Sequence, residues 1–149
     1  MARLSIGDLN NLSGVSEKEL ESLYKEFRRA HTKVFNDIQG WVDTFDVSAP
    51  DLHKKEGRGL YSDVTVYQTA RQMYYEGTLV LDNVDLFSEY TSRYQSLLST
   101  VKKESMIPEI RKLDVVLKVK KKEIIDRLSE CYGMYSEAYG RLEEEDYEW

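Results

Sequence analysis

Apolar residues recur along this chain at alternating steps of three and four, the spacing of one face of a helix. One series runs Leu20, Tyr24, Phe27, His31, Val34, Ile38, Trp41 and Phe45. A second runs Tyr67, Ala70, Tyr74, Gly77, Leu81, Val84, Phe87, Thr91, Tyr94, Leu98 and Val101. A third runs Leu117, Lys121, Ile124, Leu128, Cys131, Tyr135, Ala138 and Leu142. Each series forms a stripe, and an apolar stripe must be covered by a partner. The pattern predicts an all-α fold of three long antiparallel helices with coiled-coil-like packing. They form either a bundle or an extended helical hairpin with a third helix shared with neighbours.

Local signals place the boundaries. Residues 1–15 read as a lead-in that Ser13-Gly14 breaks. Ser16-Glu17-Lys18-Glu19 matches a capping box, so the single helical domain, residues 16–142, begins there and the first helix spans about 16–46. Residues 46–61 read as a loop punctuated by Pro50, Gly57 and Gly59, holding either a short helical turn near 51–55 or a partner-binding segment. The second helix is predicted over about 62–104, capped by Ser62 or Asp63. Gly77 and the β-branched cluster after it allow a kink, or a short strand. Pro108 suits the first turn of a third helix over about 108–144.

The chain has 149 residues with only 2 Pro and 8 Gly, a poverty of breakers that favours long helices. No stretch approaches the roughly 20 apolar residues of a membrane span, and the first residues lack a signal peptide's apolar run. Net charge is -6, which disfavours general nucleic-acid binding. The charge is polarised. Residues 102–122 hold eight basic and three acidic residues, whereas 123–149 hold two basic and nine acidic. The third helix is therefore charged against its own macrodipole, at a cost of about 1 kcal/mol or less when exposed. An antiparallel neighbour or a second subunit would offset it.

Candidate chemistry is sparse. Two histidines, His31 on a stripe and His53 in the loop, and one cysteine, Cys131 on a stripe, give no zinc spacing and no disulfide. Neither histidine follows a glutamate three residues earlier, so the helical di-iron pattern is missing. Gly57-Arg58-Gly59 lacks the strand and later glycine of a phosphate loop. The expectation is no catalytic residue, no metal, no cofactor and no enzyme. His31 and Cys131 read as core residues, and Lys121 reads as a lysine whose stem snorkels to the edge.

Eleven tyrosines are the richer signal. Tyr75, Tyr90 and Tyr132 fall beside the stripes, where a rigid amphipathic ring suits a protein contact. Lys118 and Lys122, on one helix face, suit an acidic partner and leave nucleic acid as a lesser option. Residues 143–149 form an acidic tail in which Tyr147 and Trp149 are candidate anchors. The expected partners are proteins: further copies of the chain or virion components, and no membrane.

The run Leu9-Asn10-Asn11-Leu12-Ser13-Gly14-Val15-Ser16-Glu17-Lys18-Glu19-Leu20 leads into a helix containing Arg28-Arg29-Ala30-His31. Ser48-Ala49-Pro50 follows, then a helix ending near Ser99-Thr100-Val101. Together these resemble small uncharacterised helical proteins of tailed bacteriophages of Gram-positive hosts. The resemblance implies a structural or assembly role, located in the virion or in the cytoplasm of an infected host. Tyr139-Gly140-Arg141-Leu142-Glu143 also resembles the Tyr-x-x-x-Asp/Glu tails of helical proteins exported by Gram-positive secretion systems, although their Trp-x-Gly turn is missing. That reading implies a regulatory or secreted protein docking on a single host protein.

Overall fold

A computed structural model describes residues 16–144. The described residues form three α-helices: α1 over Glu17–Lys55, α2 over Leu60–Thr100 and α3 over Ile107–Glu144. A single 3-10 turn, Glu104–Met106, precedes α3. The fold is all-α, as the periodicity predicts. Ser16 caps α1, its Oγ accepting the Glu19 N–H at 3.1 Å.

Two sequence expectations are overturned, the 46–61 loop and the capping of α2 by Ser62 or Asp63. The loop expected over 46–61 shrinks to the four residues between Lys55 and Leu60. Pro50 lies inside α1, on its exposed side, while Ala49 and Leu52 carry the stripe on from Phe45 and are buried. Their burial outweighs the backbone bond that Pro50 cannot donate. The turn is then made by Gly57 and Gly59, both in the left-handed region (φ 68° and 113°). Asp63 does not cap α2; it lies inside it, buried. Its Oδ1 accepts from Gly57 N–H at 2.9 Å and from Arg141 Nε–H at 3.0 Å, which fixes the turn. At Gly77 the predicted helix is found: α2 is helical on both sides of it, and the strand alternative fails. The glycine supplies room instead: a Cβ there would lie 2.5 Å from Leu128 Cδ2 and 2.7 Å from the Trp41 ring.

The connection after α2 uses a non-glycine residue in left-handed geometry, Lys102 (φ 60°). Lys103 N–H bonds Leu98 O at 2.8 Å and Lys102 N–H bonds Ser99 O at 3.2 Å, closing the helix end.

The described residues divide into two compact units, each holding a segment of every helix. Unit one comprises residues 16–36 and 82–120. Its core is aromatic. Phe27, fully buried, stacks on Phe87 (5.2 Å between centroids) and meets Tyr94 (5.1 Å) and Tyr90 (6.1 Å). His31 closes this cluster, its Nε2–H donating to Leu113 O at 2.9 Å. The imidazole is thus a buried polar group with a partner, as its stripe position implies.

Unit two comprises residues 37–81 and 121–144. Its core packs Ile38, Trp41, Val42 and Phe45 of α1 against Val66, Ala70 and Met73 of α2 and Ile124, Leu128, Cys131 and Met134 of α3. Trp41 stacks on Phe45 at 5.5 Å, and its indole N–H donates to Met73 O at 3.0 Å. Arg127 grips Asp46 bidentately (2.8 and 3.1 Å), tying α3 to α1 within this unit.

Candidate functional site: a tyrosine-lined helix face

Unit two carries an exposed face where α2 and α3 run side by side. It follows from helical geometry. Tyr75 stands one position after the buried stripe of α2, and Tyr132 and Tyr139 stand one position after that of α3. A 100° step takes each ring from core to surface. A hollow of about 300 Å³ lies here, lined by Tyr74, Thr78 and Leu81 of α2 and by Ile125, Leu128 and Tyr132 of α3.

The rings touch in a ladder. Tyr67 lies 5.8 Å from Tyr139 and 6.2 Å from Tyr135; Tyr74 lies 5.6 Å from Tyr135 and 5.9 Å from Tyr132; Tyr132 meets Tyr135 edge-on at 5.1 Å. Such edge-to-face contacts align ring edges with ring faces and stiffen the surface. Arg71 lies over Tyr67 (5.8 Å) and Tyr75 (5.5 Å), four residues from each along α2. The Tyr135 hydroxyl is pushed above the ordinary tyrosine range, first by burial and then by the neighbouring phenols. The Tyr139 hydroxyl is raised by its hydrogen bond to Glu143. These phenols stay protonated at neutral pH, so the face offers neutral hydroxyls and apolar ring bodies around one guanidinium.

The candidates named from sequence fare differently. Tyr75 and Tyr132 both belong to this face and are about half exposed. Tyr90 does not: it is buried in unit one against Phe27 and Phe87, and burial pushes its hydroxyl up to about 12. It is a core residue, because at this level the flank preceding the α2 stripe faces Phe27 of α1. Lys118 is exposed and pairs with Asp114 one turn back at 2.9 Å. Lys122 is exposed. Tyr147 and Trp149 lie outside the described residues, as does the lead-in. Sequence reasoning left out Arg71, whose four-residue spacing from both Tyr67 and Tyr75 was a usable signal, and the exposed aliphatics Leu79 and Ile125.

Cys131 is buried, and desolvation pushes its thiol up to about 12. Among the described residues, no three His, Cys, Asp or Glu side chains gather closely enough to hold a metal ion. No helix among them is long and apolar enough to cross a membrane. No protein-family model, curated protein or solved structure matches the chain.

Proposed function

We propose that this chain is a non-catalytic assembly protein that works by presenting helix faces to other proteins, as a component of a bacteriophage particle or of its construction. The observation that carries this reading is the tyrosine-lined α2–α3 face of unit two, where mutually packed rings flank a hollow lined by Tyr74, Tyr132 and the aliphatic Leu81, Ile125 and Leu128. Such a surface gives large contact area at low entropic cost. The phage setting rests on the sequence resemblance alone.

The test follows the tagged chain through particle purification from the organism that carries it. Co-purification with particles at fixed stoichiometry is expected, reduced by Tyr75→Ala combined with Tyr132→Ala. A chain absent from every particle fraction overturns the assembly reading. Recovery of the chain bound one-to-one to a single host protein would favour the host-docking role instead.

A further inference from the structure

The hollow between α2 and α3 of unit two and the charges of α3 select the same occupant. We propose that two copies of this chain pair through α3, antiparallel, the basic half of each α3 lying on the tyrosine-lined face of the other. This deepens the assembly reading and rests on it only in taking that face to be a contact surface.

Charge favours a second copy. Residues 107–122 hold six basic and two acidic side chains, and residues 123–144 hold two basic and six acidic, so the halves carry +4 and -4. The structure sharpens this polarity by engaging the minority charges inside the chain. In the basic half, Glu109 accepts from Tyr24 and Arg28, while Asp114, mostly covered, pairs with Lys118 of the same half and leaves its net charge unchanged. In the acidic half, Arg127 is clamped to Asp46 and Arg141 to the buried Asp63. What α3 shows to solvent is therefore basic toward its start and acidic toward its end. A parallel pair would set like charges together; an antiparallel pair matches them along the whole contact and places each helix start beside the partner's acids.

Register favours it as well. One residue after the buried stripe, α3 carries another series at three- and four-residue steps, exposed at every position from Arg111 to Glu143. An antiparallel pairing centred near Arg127 sets Arg111 against Glu143, Val115 against Tyr139 and Lys122 against Tyr132. Opposite charges meet, an exposed valine covers a ring, and a lysine meets a π-face. A second copy satisfies all three pairings because the donor and the acceptor are one helix. A polyphosphate would be repelled by half of the same surface.

The test uses the full 149-residue chain. Sedimentation equilibrium at low salt should give a dimer that loosens as salt rises. Arg111→Glu with Lys118→Glu should weaken dimerisation at least about tenfold, and so should Glu137→Lys with Glu143→Lys, each with unchanged helical circular dichroism. An equimolar mixture of the two variants should restore the dimer, since reversed basic halves then face reversed acidic ones. Val115→Cys mixed with Tyr139→Cys should cross-link on oxidation. A wild-type monomer at high concentration and low salt overturns the pairing, as does a well-folded variant mixture that stays monomeric. The two proposals fail separately. A monomer that still enters particles removes the pairing and leaves the assembly role; a dimer found in no particle does the reverse.

Discussion

The two units spend their aromatic residues in opposite ways. Unit one hides them: Phe27, Phe87, Tyr90 and Tyr94 form one buried cluster. Unit two keeps Trp41 and Phe45 inside and leaves Tyr75, Tyr132 and Tyr139 at the surface. In unit one the rings contribute packing, and the Tyr94 hydroxyl finds no hydrogen-bond partner among the described residues. In unit two the Tyr139 hydroxyl bonds Glu143, and Arg71 lies over the Tyr67 and Tyr75 rings. A ring buried in the first unit stabilises the fold; a ring exposed in the second is available for recognition.

Substitution should separate these uses most widely at Phe27 and Tyr132. Phe27→Ala removes a fully buried ring with contacts to Phe87, Tyr90 and Tyr94, and should cost about 3–5 kcal/mol. Tyr132→Ala, at a half-exposed ring, should cost no more than about 1 kcal/mol while weakening self-association. Both are read from denaturant midpoints at a concentration where the chain is monomeric. Equal losses would end the contrast between the units.

The next effect lies within unit two and compares two helical glycines. Gly77→Ala gains up to about 1 kcal/mol of helix propensity but drives a methyl into Leu128 and into an indole held by its bond to Met73. The Leu128 methyl can swing aside; the Trp41 ring cannot do so without losing that bond. Net destabilisation of about 1–2 kcal/mol is expected, within the range for overpacking. Gly40→Ala meets nothing within 4 Å and should stabilise by about 0.5–1 kcal/mol. Thermal melts of the two variants that shift the same way would show that Gly77 is not a packing glycine.

How far such contrasts could be read from sequence depends on the flank. The three stripes were legible because burial in a helix bundle is periodic, and almost every stripe position is buried or half-buried. A stripe does not say which adjacent column is also covered. On α2 the column preceding the stripe is buried at Val66, Met73, Tyr90 and Leu97 but exposed at Glu76, Asn83 and Leu86, whereas the column following it is exposed at Tyr75. Tyr75 and Tyr90 thus look alike as residues beside a stripe, and only the placement of the other two helices parts them. Pro50 and the polar run around it concealed the last turns of α1, although Phe45, Ala49 and Leu52 kept the helical spacing. The role of Asp63 was hidden for another reason: its partners, Gly57 and Arg141, are brought to it only by the fold.

The smallest effect at neutral pH, and a diagnostic one at high pH, belongs to the buried phenols of unit one. Burial raises both Tyr90, to about 12, and Tyr94, further still, because a phenolate in that cluster would lose its water. An unfolded tyrosine ionises near 10. The folded state therefore holds these protons more tightly, and the stability this contributes is intact below about pH 10 and lost as pH rises toward 12. Tyr94→Phe deletes the hydroxyl that lacks a partner and keeps the ring that packs on Phe27. At pH 7 it should leave stability unchanged or raise it by up to about 1 kcal/mol, since the buried oxygen's lost hydration is recovered. Above pH 10 the variant should lose stability less steeply than the parent, with tyrosinate absorbance rising together with unfolding in the parent. A variant clearly less stable than the parent at pH 7 would mean that the Tyr94 oxygen has a partner, such as a bound water, and that unit one satisfies its phenols as unit two does.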